Sequence, residues 1–401
     1  MSQPSRGPVS HPHTGSGPEA DVTPPQIPVV VLAGFLGSGK TTLLNHLLHH
    51  SGGSRVGAIV NDFGAVEIDA MAVAGALGDS TVSLGNGCLC CAVDASELDG
   101  YLDRLTAASV DVVVIEASGL AEPQELVRMV LAGENPDVVY GGLVEVVDAA
   151  EFDDTRARHP EIDRHLALAD LVVVNKLDRA ADGDRVLGLV RSLTDRAAVV
   201  PASYGRIDPA LLFDCRPARE RVGQLSFDDL HAEDDPRPGA AGHAHGSAGH
   251  LHAGYDSLSF VSDVPLEPRR LMRFLDSRPD GLYRIKGYVD FGAHDPRNRY
   301  LLHAVGPFLR FYPEPWPAGG TRRLTQLVLI GSGIDTAALG KELEACRTEP
   351  YERDAPHADE HGMWGVLRYV RDTGDPEDVR DTGDPEDPED PDDEVRYGSA
   401  L

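Results

Sequence analysis

Apolar positions follow two different patterns along the first half of this 401-residue chain. Short, nearly unbroken apolar runs at Val29–Ala33, Val56–Val60, Asp111–Ile115, Leu143–Val147, Leu171–Val174 and Ala198–Val200 predict strands buried on both faces. Between them, stretches such as Glu97–Leu105 and Gln124–Leu131 carry apolar residues at helical spacing. Such alternation predicts an α/β fold, a mostly parallel sheet covered by helices. After Asp214 the composition changes, and residues 228–255, acidic and then rich in Gly, Ala and His, read as a linker. A second patterned segment predicts strands at Ser257–Val261, Leu282–Phe291, Tyr300–Val305 and Leu324–Ile330, with helices at Leu266–Ser277 and Thr336–Cys346. That mixture predicts a small α+β C-terminal domain. The expected organisation is a disordered N-terminus (1–25), an α/β domain (26–214), an acidic, His-rich linker (215–255), the small α+β domain (256–349) and a mostly disordered acidic tail (350–401).

Charge narrows the class of partner. The formal net charge is −29, which argues against nucleic acid or an anionic membrane as the main partner. From Arg371 onward there are 13 acidic residues and three arginines, a net of −10, so about a third of that charge belongs to the tail. The tail also repeats RDTGDPED at Arg371–Asp378 and Arg380–Asp387, and Pro, Gly and like charge together preclude a packed core there. No stretch approaches about 18 uncharged apolar residues, so no membrane span is expected. The first 25 residues lack an apolar core segment, so a signal peptide is not expected. Five cysteines, three of them clustered, suit a reducing compartment, and a cytoplasmic location is expected.

Candidate chemistry concentrates where strands end. Gly34-Phe-Leu-Gly37-Ser38-Gly39-Lys40-Thr41 follows the first strand at once, and Thr42-Leu-Leu-Asn-His-Leu-Leu continues with helical spacing. This is the G-x-x-x-x-G-K-[ST] pattern in its strand-then-helix context. Its glycines let backbone N–H groups close round phosphates, and the helix N-terminus adds its positive dipole end. Lys40 then reaches the β/γ-phosphates and the Thr41 hydroxyl sits on Mg²⁺. A glycine-rich turn that binds nothing is the competing reading, and the flanking elements speak against it. Asn175-Lys176-Leu177-Asp178 ends another strand. A carboxylate there accepts from guanine N1–H and N2–H₂, a donor pair adenine lacks, so GTP is expected rather than ATP. The Lys176 stem would cover the purine face and Ala202-Ser203 support the base; a capped helix start is the plainer alternative. Glu116, in Glu116-Ala-Ser-Gly119, is the expected Mg²⁺ carboxylate, with the Gly119 N–H near the γ-phosphate. Asp62, in Asn61-Asp62-Phe63-Gly64, is a second candidate in a switch-like loop. No glutamine is obviously placed to orient an attacking water, so slow hydrolysis is expected.

Gly85-Asn-Gly-Cys88-Leu-Cys90-Cys91 brings three thiols into four residues. Thiolates select Zn²⁺ or Cu(I) over Mg²⁺, and tetrahedral Zn²⁺ would need one further ligand; ordinary buried cysteines are the alternative. The cluster lies between Asp62 and Glu116, the two segments that would feel a γ-phosphate, so metal affinity can be coupled to nucleotide state. His243, His245, His250 and His252 form two HxH pairs in the linker, either a mobile metal-loading segment or a solvated low-complexity stretch. Cys215 and Cys346 are isolated and read as structural.

With these residues assembled, the chain resembles the CobW-type P-loop GTPases of the metallochaperone class. The resemblance runs from about Ile27 to Cys346 through GFLGSGKTT, NDFG, LGNGCLCC, EASGLAEP, NKLD and the His-rich linker. It also takes in LYRIKGYVDF, Trp316-Pro317 and LTQLVLIG in the C-terminal domain. It implies a GTP-binding protein of low GTPase activity that delivers a metal, most often zinc, to a client metalloprotein. Carried over by motif, Gly37–Thr42 bind phosphate, Asn175 and Asp178 read guanine, and Cys88, Cys90 and Cys91 bind metal. Cobalt insertion in cobalamin synthesis, activation of one metalloenzyme, and nucleotide-independent zinc storage are the competing functions. An edge strand or the C-terminal domain could support a homodimer. Two features depart from the family pattern. The switch loop reads Asn61-Asp62-Phe63-Gly64-Ala65 where the family has NEFGE, and the acidic repeat tail has no counterpart.

Overall fold

The computed structural model describes residues 26–60, 81–83, 95–119, 121–194, 196–214, 255–317, 322–349 and 361–370. Asp62, Cys88, Cys90, Cys91, Cys215, the four linker histidines, residues 1–25, 350–360 and 371–401 lie outside the described residues.

Seven parallel strands form the first sheet: β1 (Ile27–Ala33), β2 (Val56–Val60), β3 (Thr81–Ser83), β4 (Val112–Glu116), β5 (Val138–Asp148), β6 (Leu171–Asn175) and β7 (Ala198–Pro201), in the order β3-β2-β4-β1-β5-β6-β7. Strand alternation divides β1 between two cores. Val30 and Leu32 pack with Leu43, Leu44 and Leu47 of α1 (Lys40–His49) on one face. Val29 and Val31 pack on the other with α2 (Ala95–Ala107) and α3 (Pro123–Ala132). The same second face continues under α4 (Phe152–Arg158), α5 (Ile162–Leu168) and α6 (Gly183–Leu193). The carboxyl ends of all these strands therefore open on one edge, where α/β sheets bind ligands.

β5 is much longer than its apolar run suggests. Gly141-Gly142 reads as a break in sequence but forms a bulge opposite Val29/Val30, and the strand continues through it.

The C-terminal domain is a five-stranded antiparallel sheet of β8 (Asp256–Ser262), β9 (Leu282–Val289), β10 (Asn298–Val305), β11 (Phe308–Pro315) and β12 (Thr325–Gly331), ordered β11-β10-β9-β12-β8. Helices α7 (Pro268–Asp276) and α8 (Thr336–Ala345) enclose a separate core with it. α7 starts at Pro268 because the Glu267 carboxylate accepts from the N–H groups of Arg269 and Arg270. β11 escapes the sequence reading because it carries two prolines, which an edge strand tolerates. Residues 361–370, which the sequence reading gives to the acidic tail, pack onto this domain. They form a short helix, α9 (Trp364–Leu367), bury Val366, and join the edge strand where Phe311 N–H donates to Tyr369 O at 2.9 Å.

The two sheets meet along the start of β5. Tyr283 Oη donates to Gly141 O at 3.3 Å, and His303 Nε2 lies 2.9 Å from Tyr140 O. Beside them, the buried Asp170 carboxylate accepts from Leu143 N–H at 2.8 Å and from Tyr140 Oη. No helix among the described residues is long and apolar enough to cross a membrane.

Candidate nucleotide-binding site

The loop after β1 holds three glycines at positive φ, Gly34, Gly37 and Gly39, and two of them sit where no side chain fits. At Gly34 (φ +140°) a β-carbon would lie 2.4 Å from Val146 O, and at Gly39 (φ +103°) 2.3 Å from Asn175 Nδ2. No larger residue fits either position without moving β5 or Asn175. Gly39 precedes α1, which has no side-chain cap and no acidic residue in its first turn, so the helix offers backbone N–H groups toward the loop. The Lys40 ammonium donates to Gly34 O at 2.8 Å and Phe35 O at 3.2 Å, and the loop therefore curves over a buried positive charge.

Thr41 and Glu116 come from separate elements, one turn of α1 and the end of β4. Thr41 Oγ1 donates to Glu116 Oε1 at 2.7 Å, with Glu116 only 6% exposed. A hydroxyl and a carboxylate so close are the hard oxygen donors that Mg²⁺ takes, so the residues present fit that ion. Gly119 packs against the Leu36 backbone, which brings the segment after β4 to the loop's outer wall.

The strand end at Asn175 is bound to the same loop. Asn175 Nδ2 donates to Ser38 O at 3.0 Å and its Oδ1 accepts from Gly205 N–H at 2.9 Å. Its carbonyl and one amide proton are thus engaged in bracing two loops, a bracing role the sequence did not suggest. Lys176 has φ +59° and donates to Gly37 O at 2.6 Å. Asp178 lies a turn further on, in the short 3₁₀ helix Leu177–Arg179, with its side chain 28% exposed. Thr42, Ser38 and the Ala202–Gly205 turn border the same space: a β-carbon on Gly205 would lie 2.8 Å from Leu43 N.

Three residues escaped the sequence reading. Asp148 ends β5 and contacts Lys176 at 2.7 Å; the rule that found Glu116, a carboxylate closing a strand, applies to it equally. Tyr204, within the Ala202–Gly205 turn, is 61% exposed in a left-handed conformation (φ +56°). Glu145 is fully buried on β5, opposite Ala33, and among the described residues neither of its oxygens meets a hydrogen-bond partner. Burial pushes its carboxyl up to about 8, against the opposing pull of the Lys40 charge. Nothing in the run LVEVV distinguishes such a residue from an exposed one.

The fold and this edge together define a P-loop nucleotide-binding protein with an appended antiparallel domain. Residues 28–201 match the family described as CobW/HypB/UreG, nucleotide-binding domain, and residues 255–347 match the cobalamin synthesis protein cobW C-terminal domain. The chain is 30% identical over 365 residues to a zinc chaperone CobW of Sinorhizobium sp, covering 80% of this chain and 97% of that protein. It is 31% identical to a zinc chaperone CobW of Pseudomonas aeruginosa, over 86% of this chain and 99% of the relative. It is 32% identical to the zinc chaperone YjiA of Escherichia coli, over 76% and 94% respectively. The chain belongs to the CobW family.

Proposed function

We propose that this protein is a GTP-dependent metallochaperone, a slow GTPase that binds zinc through Cys88, Cys90 and Cys91 and passes it to a client metalloprotein in the cytoplasm. The observation that carries the nucleotide half is the 2.7 Å contact between Thr41 and Glu116 beside the Lys40 ammonium. In this reading the N–H groups of Gly37–Thr42 bind the phosphates and Lys40 reaches the β/γ oxygens. Thr41 and Glu116 would hold Mg²⁺, which supplies charge neutralisation to the β/γ-phosphates when bound. Gly119 N–H would donate to the γ-phosphate, and Asp178 would accept from the guanine edge while the Lys176 stem covers the base. Asp62 would belong to the switch loop.

The zinc half is supported by the names of the relatives and by thiol chemistry. Three thiols in four residues, between the two segments that would read the γ-phosphate, favour a soft cation whose affinity follows nucleotide state. A coupling of about 1–3 kcal/mol, roughly 5–150-fold, suffices for directional transfer. His243, His245, His250 and His252 would load metal onto the thiols.

The test is zinc affinity by competition with a chromogenic chelator, with GDP and with a non-hydrolysable GTP analogue. It is run on wild type and on Cys88/Cys90/Cys91→Ser. A nucleotide-dependent difference of about tenfold, within the range of such couplings, that vanishes in the variant supports the proposal. Equal affinity in both nucleotide states replaces it with a zinc store, and an unaffected variant moves the metal to the histidine linker.

A further inference from the structure

The last residue of β5 is tied more tightly than a strand end requires. Asp148 pairs in register with Asn175 of β6, and Ala149 N–H donates to Asn175 O at 2.9 Å, so the two strand ends are joined. Asp148 Oδ1 accepts from Ala150 N–H at 3.0 Å, which fixes the carboxylate. Its Oδ2 accepts from Lys176 Nζ at 2.7 Å, and the same ammonium donates to Gly37 O at 2.6 Å. One cation therefore joins three segments: the phosphate loop, the end of β5 and the loop after β6. The side chains of Lys176 and Asp148 are only 25% and 16% exposed, so this is a shielded pair rather than a surface ion pair. Lys176 also holds φ +59°, a conformation unfavourable for a residue with a β-carbon and one that needs a surrounding constraint.

We propose that Asp148 is a positioning residue of the nucleotide site, acting through Lys176. The inference rests on the guanine-nucleotide reading above. With Nζ pinned between Asp148 and Gly37, the four-carbon stem of Lys176 is drawn from the base-reading loop to the phosphate loop. There it is already placed to lie against a purine. Without the carboxylate, the ammonium keeps one fixed partner and the stem regains rotamer freedom, which nucleotide binding must remove again. The two oxygens of Asp148 are engaged by Ala150 N–H and Lys176 Nζ, and neither of these contacts involves Asp178, Thr41 or Glu116. Its effect should therefore be the same for GDP and GTP and should leave the preference for guanine over adenine and kcat unchanged.

The experiment is a double-mutant cycle on the full chain: wild type, Asp148→Asn, Lys176→Met and the double variant, titrated with fluorescent GDP, a GTP analogue and ADP, alongside melting of the nucleotide-free proteins. We expect Asp148→Asn to weaken GDP and the GTP analogue alike by roughly two- to tenfold, the cost of immobilising one long side chain again, with any fall in melting temperature too small to account for the loss. We expect the double variant to bind no more weakly than Lys176→Met alone. Additive losses, a loss confined to one nucleotide, or a loss that tracks melting temperature overturns the inference. If Asp148→Asn does not fold, Asp148→Glu, which keeps the charge and lengthens the reach, is judged by the same non-additivity. Wild type that binds no guanine nucleotide overturns the underlying reading as well. Wild type that binds, with Asp148→Asn binding equally, overturns this inference alone.

Discussion

Replacing Glu145 with glutamine should make the protein more stable, and by an amount that grows with pH. Glu145 is fully buried on β5, on the face it shares with Leu143 and Val147, whose core neighbours include Leu126 of α3 and Leu166 of α5. In the native protein its carboxyl holds its proton to about 8, against 4.5 for an ordinary glutamate, because burial penalises the charged form. The native state therefore binds more protons than the unfolded state between those two values. The Glu145 contribution to stability is most favourable below pH 4.5, falls as pH rises, and carries the full penalty above about 8. At 1.36 kcal/mol per pH unit this amounts to roughly 3 kcal/mol at pH 7 and roughly 5 kcal/mol at pH 9, a large share of a domain's stability. Glutamine has the same shape and no proton to lose, so the difference between the two proteins isolates Glu145 from every other titrating group. Urea unfolding followed by far-ultraviolet circular dichroism, at intervals from pH 5 to pH 9 without nucleotide, reads it directly. The variant should lead wild type by about 1 kcal/mol at pH 5, and the lead should grow steadily up to about pH 8. A difference that stays constant across the range would refute the reasoning, since it would mean that the carboxylate is ionised and compensated inside the fold.

Other consequences are more local. Glu116→Gln keeps an acceptor for the Thr41 hydroxyl but removes the charge, so the Mg²⁺-dependent gain in GTP affinity should fall on the order of tenfold while Mg²⁺-free GDP binding persists. Titrations with and without chelator check it, and equal Mg²⁺ dependence in both proteins would remove Glu116 from the site. At Gly306 (φ +50°) a β-carbon would lie 1.8 Å from Asp170 Oδ1, in the joint between the two sheets. Gly306→Ala should therefore destabilise the protein by about 3 kcal/mol, and a loss below about 1 kcal/mol in chemical denaturation would show that the joint yields.

Much of this protein was determined by its sequence. The buried parallel strands announce themselves as apolar runs because both faces are covered, and the run Val56–Val60 is strand from end to end. The phosphate loop was equally legible, because a loop that wraps an anion needs glycines and a lysine at fixed spacing, whatever surrounds it. What the tertiary structure alone decided is of another kind. The Gly141-Gly142 pair looks like an interruption until the C-terminal domain is seen packed on it: a β-carbon on Gly142 would meet Val305 and the Tyr283 hydroxyl. In one dimension Glu145 and Asp148 look like an ordinary strand interior and strand end, and Asn175, legible as a motif residue, shows nothing of its bracing contacts. Their roles come from what the crossovers bring beside them, Ala33 and the nearby charge of Lys40 for Glu145, Lys176 and Gly37 for Asp148, Ser38 and Gly205 for Asn175. Local chemistry is written in spacing. Burial and long-range pairing depend on which distant segments the fold places together, and no local pattern carries that information.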